Sequence, residues 1–369
     1  MTEFDVAQTI RLSFSGDSSA AGVLRKALDP WGPVSTERPA DVTVEELQET
    51  PTLLELQNPA GDGLVTAWSG SDLYVRAGGR CCRVPPPALE GPFDFAYERG
   101  FPLAAVIRPF VRPALQIAAS AHGAVAVHGA AAIVDGKGVV VAGWSESGKT
   151  ETVVAFVEEG ASFLSDKWTV IRADGTVACF PISVGIRRWV LEYAPRLRTA
   201  LPAAARLRLR VAGSVAAVAE SRARKRVLSG TTGDALERLV ISAERVSMSP
   251  TDLAAAYGDP PPTATPALKA VVLLTTTPHG EPDAVPADPA WAARRLARSA
   301  THERRRYLDL ERRMRFAHAS PEAPYIASEI EAREEQRLVS LLETVPVIEA
   351  RAPFPCDPRR IVAAVRPLL

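Results

Sequence analysis

Cysteine, lysine and long apolar runs are scarce in this 369-residue chain, and net charge is absent. Each shortage excludes something. The four cysteines are Cys81, Cys82, Cys179 and Cys356. They form no C-x-x-C pair and no histidine stands at zinc-finger spacing, which argues against a structural metal. So few cysteines in so long a chain suit a reducing compartment better than a disulfide scaffold. With 43 basic and 43 acidic residues the formal charge is zero, so nothing global draws the protein to nucleic acid or a membrane surface. No stretch reaches the ~18 uncharged apolar residues of a membrane span. Met1-Thr2-Glu3-Phe4-Asp5 carries an acid where a secretory signal has a basic region. The expectation is a cytoplasmic protein with no membrane and no nucleic-acid partner. Oligomeric state is left open, a homo-oligomer included.

The length predicts two domains, since a domain holds roughly 100–200 residues. Residues 1–100 read as a small α+β accessory or docking domain. Ile10–Phe14 alternates as a strand, Ser19–Leu28 has helical spacing, and the runs 64–68 and 73–77 flank Ser69-Gly70-Ser71-Asp72 as a hairpin. Pro85-Pro86-Pro87 and Gly91-Pro92 then mark a boundary. Residues 101–369 form the candidate catalytic domain.

Its centre is Gly143-Trp144-Ser145-Glu146-Ser147-Gly148-Lys149-Thr150, which fits the phosphate-binding pattern G-x-x-x-x-G-K-[ST]. An apolar strand-like run, Val139–Ala142, precedes it. A helical pattern from Glu151 to Glu159 follows, closed by Gly160. Strand, glycine loop and helix are the context in which this pattern acts. Glycines at 143 and 148 let successive N–H groups turn inward onto phosphate oxygens, and the helix start adds its unpaired N–H groups. Lys149 is placed to bridge the terminal phosphates of ATP, and Thr150 to hold Mg²⁺. The bland alternative is a Gly/Ser turn before an ordinary helix.

Upstream, 103–122 has helical spacing interrupted by Pro109 and Pro113, and Ala124–Val134 reads as an apolar strand containing His128. A lone histidine there is a satisfied core residue or a catalytic one. Downstream, Ala161–Leu164 reads as a strand ending at Ser165-Asp166-Lys167, and 168–171 with 177–180 as a hairpin. An acid at the end of a strand next to the one that feeds the loop lies at the carboxyl edge of the sheet, where ligands bind in open α/β folds, so Asp166 is a candidate catalytic or metal-binding residue. Ile186-Arg187-Arg188-Trp189 and the basic residues Arg206, Arg208, Arg210, Arg222, Arg224, Lys225 and Arg226 are either a solvated face or a phosphate contact. Residues 268–274 read as a buried strand. The Arg/Glu-rich segment 290–342 reads as solvent-facing helices laced with i,i+4 pairs, one of whose arginines could enter the site. Val345–Ala350 is a last strand and Arg359–Leu369 a last helix.

Three stretches resemble the catalytic domain of HPr kinase/phosphorylase and its wider set of HPr-kinase-like proteins. They are His128-Gly129 ahead of a glycine turn and strand, Gly143-x-Ser145-x-x-Gly148-Lys149-Thr150-Glu151-Thr152, and Phe163-Leu164-Ser165-Asp166. The likeness covers 103–180 well and 265–369 loosely. It implies an α/β P-loop kinase core of the HPr-kinase/PEP-carboxykinase type, although the chain is short for PEP carboxykinase. It implies a kinase that phosphorylates a hydroxyl with Mg·ATP. In this resemblance Asp166 accepts the hydroxyl proton and shares the metal with Thr150. His128 stands near metal and phosphates, and residues 143–151 hold the nucleotide. Lys167 departs from the family, whose bifunctional members carry a second, metal-binding Asp there. That departure puts the second metal site and the reverse reaction in doubt. No downstream glutamate equivalent for the metal is evident. Relatives of this shape include kinases of lasso-peptide precursors, which implies a seryl or threonyl hydroxyl of a peptide or protein as acceptor. A small-metabolite kinase, another ATP-dependent transferase and a nucleotide-binding regulatory protein stay open as alternatives.

Overall fold

The structure is a computed structural model that describes residues 1–35, 38–53, 55–57, 65–207, 209, 245–318 and 325–369. It is a mixed α/β protein. The first hundred residues supply nine strands: β1 (Thr2–Val6), β2 (Ile10–Ser15), β3 (Pro33–Val34), β4 (Val42–Glu46), β5 (Glu55–Gln57), β6 (Val65–Ser69), β7 (Asp72–Ala77), β8 (Arg80–Arg83) and β9 (Phe93–Tyr97). They form one sheet in the order β3-β1-β2-β4-β9-β8-β7-β6-β5. The expected helix is present at Ser18–Ala27, capped by the Asp17 side chain. The expected hairpin is β6–β7, with Ser69 opposite Asp72 and Gly70 at φ +58° supplying the tight turn. Phe4, Leu12, Phe14, Val44, Phe93 and Phe95 build a core under this sheet.

A helical run from Ala104 to His122 follows. It passes through a five-residue π-helical stretch, Ile107–Val111, before the α-helix Arg112–Ala118. Pro109 lies inside that stretch. A proline lacks the N–H that an α-helix interior needs, and the widened turn absorbs the defect without ending the run.

The next strands are β10 (Val125–Val127), β11 (Gly129–Val134), β12 (Lys137–Gly143), β13 (Ser162–Ser165), β14 (Thr169–Ile171), β15 (Val177–Cys179), β16 (Val184–Arg187), β17 (Arg245–Met248), β18 (Leu268–Thr277), β19 (Asp283–Pro286) and β20 (Val347–Pro353). Six of them form the second large sheet, in the order β13-β11-β12-β18-β20-β19. β12, β18 and β20 run parallel to one another. The apolar stretches Val139–Ala142 of β12 and Ala270–Leu274 of β18 follow from cover on both faces. Val139 and Val141 face one core, Val140 and Ala142 the other. The first face is covered by the helix Lys149–Glu158, here the loop helix, and by the C-terminal helix Pro358–Val365. The second is covered by the long helix Pro289–Leu308 and its neighbour Ile326–Leu342.

Two expectations are corrected. Ala124–Val134 is not one strand: β10 pairs with β14 in a three-stranded sheet and β11 with β12 in the six-stranded one, so the chain changes sheets at His128. The segment 290–342 is not simply solvent-facing. Ala292, Ala293, Leu296, Ala297, Ala300, Tyr307 and even Arg304 are buried along the long helix. Its apolar positions are mostly alanines, which a pattern dominated by arginine and glutamate conceals. Of the basic residues that form either a solvated face or a phosphate contact, Arg208, Arg210, Arg222, Arg224, Lys225 and Arg226 lie outside the described residues. Arg206 donates to the Thr199 carbonyl at 3.3 Å.

Candidate active site

The six-stranded sheet brings three separate pieces of sequence to one edge. β11 is antiparallel to both β12 and β13, with Gly129 opposite Ala142 and Ala131 opposite Ser165. The start of β11 therefore lies beside the ends of its neighbours. His128 precedes β11, the glycine loop 143–148 follows β12, and Asp166 follows β13. The registry of the sheet alone converges all three.

The loop is built as its residue types dictate. Gly143 has φ +155° and Gly148 φ +96°, and Glu146 is held at φ +61°. A Cβ on Gly143 would fall 2.9 Å from the Leu274 carbonyl oxygen, a backbone atom with no freedom to yield. Ser147 is buried, and its hydroxyl has no hydrogen-bond partner among the described residues. Such a group is costly unless something polar arrives to satisfy it. Glu146 at the tip accepts from Arg187 of β16 at 2.6 Å. Trp144 is 52 % exposed and its ring stands 4.7 Å from that of His302. Ser145 lies between them, exposed.

Lys149 opens the loop helix. It is buried, and its Nζ donates to the carbonyls of Gly143 (3.1 Å) and Trp144 (2.6 Å). Burial lowers the ammonium to about 8, against the opposing pull of Asp166, Glu303 and Glu151. The hydroxyl of Thr150 donates to Asp166 Oδ1 at 2.7 Å. Asp166 is buried; desolvation raises its carboxyl above the usual range, while the Thr150 bond and the Lys167 N–H hold it down. Glu151, also buried in the first helical turn, is raised by the same desolvation.

Asp166 sits on a tense piece of backbone. Lys167 takes φ +64°, and the N–H of Trp168 donates to the Asp166 carbonyl at 2.7 Å. This three-residue turn is a rare and strained form, and its neighbours brace it. Ser165 Oγ donates to the Trp168 carbonyl at 2.5 Å and accepts from the Phe180 N–H at 3.1 Å. The Trp168 ring is flanked by His128, 5.7 Å between centroids, and by the Arg304 guanidinium, 5.7 Å above it. Arg304 is itself clamped to Glu334 of the neighbouring helix, with both side chains fully buried.

His128 is buried with Nδ1 3.0 Å from Ser299 Oγ. Desolvation pushes its imidazole down to about 2, reinforced by Lys149, Lys167 and His302, so the ring is neutral.

The residues of the glycine-loop motif and of the resemblance, His128, Gly143 to Glu151 and Asp166, therefore occupy one edge of the sheet. The residues that sequence reasoning missed come from the long helix. Ser299 holds His128, Arg304 stacks on Trp168, and the charge of Glu303 acts on both Lys149 and Lys167. Arg295 and Arg298 border a cavity of about 190 Å³ with Gly143, Trp144, Leu273, Leu296 and Ser299. A signal existed: 295, 299, 302 and 303 share one helical face. Among the described residues no group of three or more His, Cys, Asp or Glu side chains is placed to hold a metal. No helix among them is long and apolar enough to cross a membrane. The chain matches no protein family, and no curated protein shows significant similarity to it.

Proposed function

We propose that this protein is an ATP-dependent phosphotransferase with a P-loop core of the HPr-kinase type, acting on a seryl or threonyl hydroxyl of a peptide or protein. One observation carries the reading. The hydroxyl next to the loop lysine bonds at 2.7 Å to an acid at the end of β13, which β11 separates from the loop strand β12, and such a hydroxyl–carboxylate pair is what P-loop enzymes use to hold Mg²⁺.

The residues fit both groups they are asked to hold. Residues 143–148 form a cradle that a single Cβ would obstruct, containing an unsatisfied buried hydroxyl. Buried Lys149 donates to the loop carbonyls of Gly143 and Trp144. Those features suit phosphate oxygens. Thr150 and Asp166 offer hard oxygen donors, and Mg²⁺ commonly takes only one or two carboxylates and keeps its waters. Bound there, the ion would offset the charge of the transferring phosphate.

The chain's own residues have distinct tasks. Lys149 turns from the Gly143 and Trp144 carbonyls to the terminal phosphates. Asp166, raised by burial, is a stronger base than a surface carboxylate and takes the proton of the acceptor hydroxyl as its oxygen bonds to the γ-phosphorus and ADP departs. His128 stays neutral, so it lends a hydrogen bond without adding charge. The braced turn at 165–168 fixes Asp166 in advance, and positioning is most of what phosphoryl transfer requires.

A second reading is a nucleotide-binding regulatory protein without turnover. It is favoured by the cation Lys167, which stands beside Asp166 and is itself lowered by burial. Incubating the full chain with Mg·ATP and candidate peptides, followed by mass spectrometry, separates the two. ADP release with one phosphate gained on a hydroxyl supports the kinase; ATP bound and never consumed supports the regulator. Lys149→Ala is expected to abolish nucleotide binding, and undiminished binding by that variant refutes the loop assignment.

A further inference from the structure

The long helix carries an exposed basic stripe that the phosphotransfer chemistry does not use. Arg295, Arg298, His302 and Arg305 are all exposed and recur at i, i+3, i+7 and i+10, so they lie along one side of the helix. Arg294 is exposed just off this line. Of the acids near the stripe, Glu303 shares a helical face with Arg295 and His302, and its charge acts on Lys149 and Lys167. Glu331 is 3.7 Å from Arg298, an exposed pair of small worth. Glu349 is already bonded to Thr275 and Arg351. Arg295 lays its guanidinium over Trp291 at 4.9 Å instead of meeting a carboxylate.

The stripe runs past the glycine loop. Arg295 and Arg298 border the cavity beside Gly143 and Trp144, and the His302 ring lies tilted against the half-exposed Trp144 ring. The cavity floor is apolar, from Leu273 and Leu296. Lys149 donates to the carbonyls of Gly143 and Trp144, and the same two residues line the cavity. Its volume, about 190 Å³, is below the ~300–1,000 Å³ of pockets that enclose whole small molecules. It suits one side chain projecting from a longer strand of polypeptide.

We propose that this stripe and cavity form the docking surface for an acidic peptide segment, with one side chain of the segment seated between Trp144 and Arg298. That this peptide is also the phosphate acceptor rests on the phosphotransfer reading; the docking itself does not. Carboxylates flanking the seated residue meet Arg295, Arg298 and Arg305. The exposed Trp144 ring provides the kind of aromatic anchor that dominates such contacts.

The test uses the full chain and two fluorescent serine-containing peptides, one flanked by Asp and Glu, the other by Lys. Anisotropy should show the acidic peptide binding at least ~10-fold tighter at low salt, with the advantage collapsing near 1 M salt, where charges are screened beyond ~3 Å. The double variant Arg295→Glu/Arg298→Glu should lose ~10-fold or more of that affinity through like-charge contact. Arg294→Glu, on the same helix but off the cavity, should stay within about twofold, as expected of an isolated surface charge. Equal binding of the two peptides, or an unaffected double variant, overturns the proposal. Titration with a non-hydrolysable ATP analogue is run in parallel. Acidic-peptide binding without nucleotide binding keeps the docking surface and removes the kinase reading. Nucleotide binding without peptide discrimination does the reverse. Tighter binding of a small dianion than of the acidic peptide would also overturn the peptide assignment.

Discussion

Replacing Glu334 by leucine should destabilise the protein far more than any surface substitution. Glu334 Oε1 accepts from Arg304 Nη1 at 2.8 Å and Oε2 from Nη2, and neither side chain is exposed at all. The other bond of the guanidinium is Nε to the Ala300 carbonyl at 3.2 Å. Glu334→Leu leaves a buried cation with its two terminal nitrogens unpaired, and breaking a buried pair in this way costs about 3–5 kcal/mol. Arg304→Met/Glu334→Leu removes both charges and fills the space with apolar groups. Such a replacement is typically neutral to ~4 kcal/mol stabilising. The cycle therefore predicts a coupling of several kcal/mol between sites that touch. Urea unfolding followed by circular dichroism measures it, with an unchanged slope showing that stability alone has moved. A single variant within ~1 kcal/mol of wild type, or a double variant as unstable as the sum of the singles, refutes the argument. Because Arg304 lies on Trp168, a stable double variant also shows whether the turn bearing Asp166 needs that charge.

Two further outcomes follow from the site. Asp166→Asn keeps an oxygen for the Thr150 hydroxyl but loses the base, so nucleotide affinity should persist while kcat falls ~10²–10⁴-fold; an unchanged kcat in a phosphorylation assay would make Asp166 structural. His128 is held neutral down to about pH 2 in the folded protein, whereas the unfolded chain protonates it near 6.5. The unfolded state thus binds more protons below that point, and wild type should lose stability relative to His128→Gln as pH falls from about 6.5. Denaturation of the two proteins at pH 7 and pH 5 checks this, and a constant difference would show that the imidazole is not desolvated.

Much of the loop and its partners was legible in the sequence because the signals were local. Gly143, Gly148, Lys149 and Thr150 are eight residues or fewer apart, and the strand and helix around them obey simple periodicities. Asp166 is legible as an acid at a strand end, but its strand does not adjoin the loop strand as the sequence suggests: β11 pairs between β13 and β12, an insertion no local pattern shows. The hairpins at 69–72 and 173–176 announced themselves by turn residues. The contribution of the long helix was not legible. Ser299 meets His128 across 171 residues, and Arg304 finds Glu334 across 30. Charged residues are usually solvated, and only the fold shows that this arginine and glutamate are buried. His128 was misplaced for a related reason. An unbroken apolar run hides a change of sheet, since both halves are covered on both faces.

The first hydrophobic core does not stop at residue 100. It runs from Phe4 and Phe95 through Phe110 and Ile117 to Tyr307 and Ile330. Tyr307 packs edge-on against Phe93 and Phe110, and its hydroxyl reaches the Pro85 and Pro86 carbonyls. Excising the first hundred residues would not free a tidy catalytic half. It would bare a broad oily face and strand the far end of the helix that holds Ser299, so a fragment beginning near residue 101 should come out of the cell as aggregate.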